Sequence, residues 1–286
     1  MPNPDFHTPD PLHAARRAMA ERAVKRFPEV FAGEDDALSY LNHITLPASQ
    51  RWAFIGNAKC GTSSVKRFLF HLEFGVPLTV SFLSPTDINP DAVSHALTRS
   101  GVFRTLPNLR GGLNFLPQTL RLAIARHPVA RALSSFTYIC QTDVESSPWL
   151  VGERLRMNAT TGFDWSKDRF THDGFIKFLT HLSRIDPSQG GVIDDPHLRP
   201  QVRNVRPGFF KPDVLGRTED LPAFFRAVAD RLEVAMPDGA ELPASNSTKS
   251  ATRAAALVTA QSRALLAKVF AEDFTWLNED VDSWKP

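Results

Sequence analysis

Two cysteines in 286 residues, Cys60 and Cys140, are too few and too far apart in sequence to form a disulfide framework, and a reducing cytoplasm is the expected home. No stretch reaches the roughly 18 uninterrupted apolar residues of a membrane span, and the opening MPNPDFHTPDPLHAARR holds no apolar signal core. Neither sign of charge dominates: 33 Lys and Arg stand against 31 Asp and Glu, for a formal net charge of +2. That balance argues against nucleic-acid wrapping and against a polybasic membrane anchor. Internal repeats and low-complexity tracts are missing as well. What is present is a chain with 42% hydrophobic residues, long enough for one substantial core. The expected organisation is a disordered, Pro-rich N-terminus over 1–11 and a single domain over 12–286.

Periodicity sketches the elements. Residues 12–31 carry apolar positions at helical spacing beside Arg16, Arg17, Arg22, Lys25 and Arg26. Such a helix packs on the domain or at a homodimer contact, with a membrane-surface role as the alternative. Phe27 and Pro28 break it before the acidic stretch Glu34 to Asp36. Strands are predicted near 51–56, 78–83, 102–106, 120–125 and 214–215, and helices near 63–69, 90–98, 128–142, 175–182, 221–232 and 252–270. This alternation predicts an α/β fold, three layers with a central parallel sheet flanked by helices, and ligand loops at the C-terminal strand ends. The least regular stretches, 146–168 and 186–207, are expected to be loops that cover or shape a ligand site, with disorder the plain alternative.

Residues 51–69 read RWAFIGNAKCGTSSVKRFL: an apolar strand, a Gly/Lys/Ser/Thr turn and an amphipathic helix. Gly56 and Gly61 let the backbone approach an anion, and a helix beginning near Ser63 offers unpaired N–H groups and the positive end of its dipole. Lys59, Thr62, Ser63 and Ser64 add charge and hydroxyl donors. An ATP-type Walker A loop puts Lys directly after its second Gly, followed by Ser or Thr to hold magnesium. Here Thr62 occupies that Lys position and the loop lysine, Lys59, precedes Gly61. Cys60, between them, sits near a helix N-terminus, which tends to lower a thiol pKa and would allow oxidation, but it reads first as a small packing residue.

A second strand and helix follow in RLAIARHPVARALSSFTYI, residues 121–139, led by Leu120. Arg126 closes the strand, Pro128 suits the first helical turn, and Ser134 lies about two turns into the helix. Converging there, a guanidinium and a hydroxyl would hold a second phosphate by charge-assisted hydrogen bonds.

An early Lys followed by GTSS resembles the 5′-phosphosulfate-binding loop of sulfotransferases. Arg-x-Pro-x-x-Arg with Ser134 beyond it resembles the 3′-phosphate motif of the same family. Further short blocks, DPHLRPQ (195–201), KPDVLGRTEDL (211–221), ASNSTKS (244–250) and EDFTWL (272–277), resemble later blocks of the Golgi carbohydrate sulfotransferases grouped as sulfotransferase family 2. The resemblance implies a P-loop-like fold and a donor, 3′-phosphoadenosine 5′-phosphosulfate (PAPS), whose sulfuryl group passes to a hydroxyl of a carbohydrate or glycoconjugate. Lys59 would neutralise the leaving phosphate oxygen, Cys60 to Ser64 would cradle the 5′-phosphate, and Arg126 and Ser134 the 3′-phosphate. Arg217 or Thr218 would lie near the adenine, and Lys249 or Arg253 would close over the nucleotide.

No metal is expected, because Arg126 stands where a Walker B strand offers Asp, and a sulfuryl group needs less neutralisation than a phosphoryl group. The eukaryotic relatives are typically membrane-anchored; lack of a span together with Met1 predicts a soluble, bacterial-type member. An alcohol acceptor also needs a general base. Many sulfotransferases carry a His ahead of the 3′-phosphate motif, but GVFRTLPNLRGG (101–112) has Arg104 and no His. His197 is the first candidate and His95 the second. A P-loop small-molecule kinase and a non-catalytic nucleotide-binding protein are the competing readings.

Overall fold

The computed structural model describes residues 11–80, 92–109, 111–142, 147–185, 195–237 and 256–285. The expectations for residues 1–10, the far end of a strand over 78–83, and the 244–250 block with Lys249 and Arg253 lie outside them. Residues 78–80 themselves form no strand.

Five strands form one sheet in the order β3-β1-β2-β4-β5: β1 is Ile44–Leu46, β2 Trp52–Ile55, β3 Arg104–Thr105, β4 Leu120–Ala125 and β5 Val214–Arg217. The β2, β4 and β5 strands run parallel, with Ile55 opposite Ala123 and Ala125 opposite Arg217. The expectation of a parallel sheet fails on the other side, where β1 pairs antiparallel with both β2 and β3. Chain length explains this: a few residues separate β1 from β2, enough for a hairpin turn and too few for a parallel crossover.

Alternate residues of the central strands serve opposite faces. Trp52, Phe54, Leu122 and Ile124 pack with Val65, Phe68 and Leu69 of α3 (Thr62–Phe74) and with Phe225 and Val228 of α10 (Leu221–Arg231). Phe68 and Phe225 stack with ring centroids 4.1 Å apart. On the other face Ala53, Ile55 and Ala123 meet Met19, Ala20 and Ala23 of α1 (Pro11–Arg26), Ala37, Tyr40 and Leu41 of α2 (Glu34–Leu41), and Phe209 and Phe210. Both faces being covered, β2 and residues 122–125 of β4 are apolar at every position, as in parallel sheets generally. Each large side chain so buried contributes about 2 kcal/mol.

The remaining helices are α4 (Ala92–Arg99), α5 (Gly112–Phe115), α6 (Pro128–Gln141), α7 (Val151–Thr161), α8 (His172–Arg184), α9 (Gln201–Val205), α11 (Ala260–Val269) and α12 (Ala271–Leu277). One face of α6 builds a third core, where Val129, Phe136 and Ile139 join Met157, Phe175, Phe178, Leu266 and Phe270. No described helix is long and apolar enough to cross a membrane.

Three further expectations are corrected. The N-terminal helix stops at Arg26 rather than 31, and α2 begins on the acidic residues Glu34 to Asp36, which suit the positive end of a helix dipole. Helix α7 occupies part of the stretch expected to be irregular and ends on Gly162 in the left-handed conformation, φ 65°. The last long helix starts at Ala260 rather than 252, because Thr259 and Ser262 form a reciprocal cap there.

Candidate active site

The C-terminal ends of β2, β4 and β5 share one edge of the sheet, and the loops leaving them form the site. After Ile55 the chain turns sharply back on itself. The Cys60 N–H donates to the Asn57 carbonyl at 3.2 Å, and the Thr62 hydroxyl both donates to that carbonyl, at 2.7 Å, and accepts from the Asn57 N–H, at 3.2 Å. The Thr62 hydroxyl thus ties the two ends of the turn together instead of pointing at a ligand. Lys59 and Gly61 both adopt left-handed backbone, φ 66° and 76°. At Gly61 a Cβ would meet Thr218 Cγ2 only in ordinary contact, at 3.5 Å, so it is the left-handed backbone that calls for glycine. At Lys59 no glycine relieves the strain, which costs about 1 kcal/mol.

The turn delivers the chain into α3 with no side chain capping its N-terminus. The hydroxyls of Ser63 and Ser64, both half-buried, have no hydrogen-bond partner among the described residues. First-turn N–H groups cannot be satisfied within the helix, so this end presents donors and a positive dipole.

Arg126 follows β4, and its guanidinium reaches the loop: Nη1 donates to the Lys59 carbonyl at 3.4 Å. Among the described residues it forms no ion pair with a carboxylate, and the half-buried Ser134 hydroxyl on α6 has no partner there either. The second arginine of the motif does something different. Arg131 is 1% exposed and is spent on carbonyls, donating to Ala58 at 3.1 Å, Arg199 at 2.8 Å and Pro196 at 2.9 Å. Ser135 likewise donates to the His197 carbonyl at 2.6 Å. His127 is scaffold, its N–H donating to Glu219 at 2.8 Å and its ring meeting Ser283 at 3.0 Å.

Sequence reasoning missed the residue that joins these parts. Gln201, fully buried, accepts from the Arg126 N–H at 3.0 Å and returns its own amide N–H to the Arg126 carbonyl at 2.7 Å. The same oxygen accepts from Asn57 and from the Cys60 thiol, each at 3.4 Å. Asp273, also fully buried, accepts the N–H groups of Gln201 and Val202 at 2.9 and 2.8 Å. Asn204 completes the frame by donating to the Asn57 side chain at 3.0 Å. Burial pushes the Asp273 carboxyl up, against the lowering field of Arg131 and the two N–H bonds. The blocks around 195–201 and 272–277 therefore brace the phosphate-type turn from behind. Thr218 braces it from β5, donating to the carbonyls of Cys60 at 2.9 Å and Ala125 at 3.1 Å.

Cys60 is the small packing residue that its sequence setting favoured, not an activated thiol. Burial pushes its thiol up to about 12, outweighing the fields of Arg131 and Arg126, and the side chain faces Gln201. Arg217 is engaged by Glu279 at 2.6 Å and Glu219 at 3.6 Å.

His197 lies beside the loop. Its Nδ1 is 2.8 Å from the Asp195 carboxylate, which only accepts, so the proton sits on Nδ1 and Nε2 carries the lone pair. The imidazole stacks on Tyr138 with centroids 4.8 Å apart, and Lys59 Nζ lies 4.3 Å from the centre of the same phenol ring. One tyrosine therefore links the loop lysine and the first candidate base. His95 stands exposed on α4, which packs beside α3. Asp195 and Tyr138 were not singled out from sequence; only the His two residues after an Asp hinted at the dyad.

Among the described residues no group of three His, Cys, Asp or Glu could hold a metal ion. The geometry puts two positively biased regions on one rim, the uncapped N-terminus of α3 and the Arg126 guanidinium, together with a carboxylate-oriented imidazole. No curated protein and no solved structure matches the chain. A family model described as the sulfotransferase family matches residues 54–278, from the end of β2 to just past α12. That stretch takes in the turn, the Arg126 strand and both bracing blocks, and on that match the chain belongs to sulfotransferase family 2.

Proposed function

We propose that this transferase moves a sulfuryl group from PAPS to a hydroxyl of a carbohydrate or glycoconjugate, on a P-loop-like frame within one domain spanning 12–286. The observation that carries the reading is the 3.4 Å contact between the Arg126 guanidinium and the Lys59 carbonyl, which puts two anion-seeking regions on one rim. A nucleotide phosphorylated at both the 5′ and the 3′ position needs such a pair. The residues fit it: Ser63, Ser64 and Ser134 hold hydroxyls without described partners, and Arg126 lacks a described carboxylate.

In this reading Ser63, Ser64 and the first N–H groups of α3 hold the 5′-phosphate, while Arg126 and Ser134 hold the 3′-phosphate. Lys59 neutralises the bridging oxygen as the sulfur–oxygen bond to the 5′-phosphate breaks, an electrostatic contribution made where charge develops. His197 Nε2 takes the proton of the acceptor hydroxyl as its oxygen bonds to sulfur, and Asp195 steadies the imidazolium so formed. Tyr138 holds Lys59 and His197 in register. Cys60, Thr62 and Gly61 shape the turn, Arg217 anchors the β5 end, and Lys249 remains a candidate nucleotide contact.

The test is label transfer from radiolabelled PAPS to a panel of hydroxylated acceptors, with and without a metal chelator. Transfer that survives chelation is expected. Magnesium-dependent phosphate transfer from ATP, with none from PAPS, would overturn the reading in favour of a kinase.

A further inference from the structure

Away from the rim, the last turn of α1 helps to line a cavity of about 250 Å³, shared with the segment around α5 and with Phe209. Its walls are mainly apolar. Phe27 and Phe209 meet edge to face with ring centroids 5.0 Å apart, and Leu113, Leu116 and Pro117 complete them. Phe209 is also held by Phe31 and Tyr40, at 5.1 and 5.7 Å between centroids, so this wall is built before any ligand arrives. Left empty, such a space forfeits dispersion contacts on each wall, and a larger side chain at Ala23, one of its lining residues, would recover them.

The lining also holds two guanidinium groups, Arg26 and Arg121, and no carboxylate. Arg121 is fixed by Asp213, to which its Nε and Nη2 donate at 3.0 and 2.8 Å. Its Nη1 makes no hydrogen bond among the described residues, so one edge of an oriented fork is left to donate. Arg26 lies over the Phe27 ring, 5.4 Å from its centre, and forms no hydrogen bond or ion pair with a described residue. A cation suits the C-terminal end of α1, but a helix dipole does not account for the cavity beside it. Asp213 cancels one of the two charges, and one is left over.

This place is distinct from the rim. Arg121 lies near the start of β4 and Arg126 just past its end, roughly 16 Å further along the strand. An apolar space with one net positive charge selects a ligand with a hydrocarbon body and one anionic end. A cavity of about 150 Å³ suffices for benzene, so this one suits a body of roughly eight to ten carbons.

We propose that the cavity is a binding site for a small amphiphilic carboxylate, its hydrocarbon body against Phe27, Phe209 and Leu116 and its oxygens on Arg26 and the open edge of Arg121. The site is neither the donor's nor the acceptor's, so the inference does not depend on the sulfotransferase reading.

The experiment is calorimetric titration with three probes: octanoate, which has both parts, 1-octanol, which has only the body, and acetate, which has only the charge. Arg26→Gln removes the unpaired cation, and Leu113→Trp fills the space from a half-buried position. Binding of adenosine 3′,5′-bisphosphate (PAP), the donor's product, and the oligomeric state by sedimentation are followed alongside. The expected result is one saturable octanoate site, with 1-octanol tenfold or more weaker and acetate not bound. Arg26→Gln should bring octanoate down toward 1-octanol, Leu113→Trp should abolish binding of both, and PAP affinity should stay the same in each variant. Equal binding of octanoate and 1-octanol, no saturable octanoate binding, or undiminished affinity in Arg26→Gln would overturn the proposal. Competition between octanoate and PAP would place the ligand at the rim and overturn it too. So would a dimer that Leu113→Trp dissociates, because a second copy would then be the occupant. Should Leu113→Trp fail to fold, Arg26→Gln against wild type decides alone.

Discussion

Replacing Lys66 by Met should make the protein more stable, by an amount that depends on pH. Burial alone lowers the Lys66 amine from its ordinary 10.5 to about 8. At about 1.4 kcal/mol per pKa unit, holding the charged amine in the fold costs roughly 3 kcal/mol. The sign follows from proton counting. Between about 8 and 10.5 the unfolded chain binds the proton that the folded chain has released, so Lys66 makes stability rise with pH across that window. Below it both states are protonated and the whole penalty stands. Cys60 and Cys140 act in the opposite sense, since burial raises their thiols to about 12 and about 11 and the fold keeps protons that the unfolded chain loses. Both cysteines are common to the two proteins, so they cancel in the difference. Urea unfolding followed by tryptophan fluorescence, in steps from about pH 7 to pH 10.5, measures that difference. Lys66→Met should be more stable by roughly 3 kcal/mol at neutral pH, with the gap closing as the amine deprotonates. A variant that is less stable at pH 7, or a gap that ignores pH, would refute the reasoning by showing that the amine has a partner.

Gln201→Leu should cost roughly 3 kcal/mol of stability and weaken PAP binding, because it leaves the Arg126 N–H and carbonyl unpaired in a buried place; chemical denaturation and calorimetry read the two effects. Lys59→Ala should lower kcat by about a hundredfold or more while the fold persists. Lys59→Gly should be equally inactive yet more stable than the Ala variant by about 1 kcal/mol, since φ 66° suits glycine; comparable melting of the two would contradict the strain. His197→Ala should reduce kcat by about a hundredfold, with Asp195→Asn intermediate, and leave PAP affinity unchanged in titrations; an undiminished kcat would return the search for a base to other groups.

Sequence reading recovered the two strand–helix units that matter because each is a local pattern. In 51–69 and 120–139 an apolar run, a punctuating Gly or Pro and a 3.6-residue period lie within twenty residues of one another. It failed where the information is not local. Strand β1 has three residues, ITL, too few for a period, and its antiparallel pairing is decided by the length of the turn to β2. The Thr259 and Ser262 cap was written in the chain, but nearby apolar periodicity masked it.

The site divides the same way. Lys59, Ser63, Ser64 and Arg126 stand in recognisable turns, whereas Gln201 contacts residues 75 positions and more away and carries no local mark beyond following Pro200. For Cys60 the packing reading is the one that holds, for a physical reason. A helix terminus lowers a thiol pKa only if the thiol is solvated, and this one is fully buried. Thr62 resembles a ligand in sequence, but its hydroxyl is consumed in closing the turn.

The central claim is that the rim formed by the Lys59 turn and Arg126 recognises a nucleotide by phosphates at both ends of its ribose. Titration of wild type and Arg126→Ala with PAP and with adenosine 5′-phosphate, which lacks the 3′-phosphate, tests it most directly. The account predicts that wild type prefers PAP and that the variant loses most of that preference, by about ten- to a hundredfold, while binding adenosine 5′-phosphate almost as before. Equal losses for the two nucleotides, or a wild type that does not distinguish them, would contradict it.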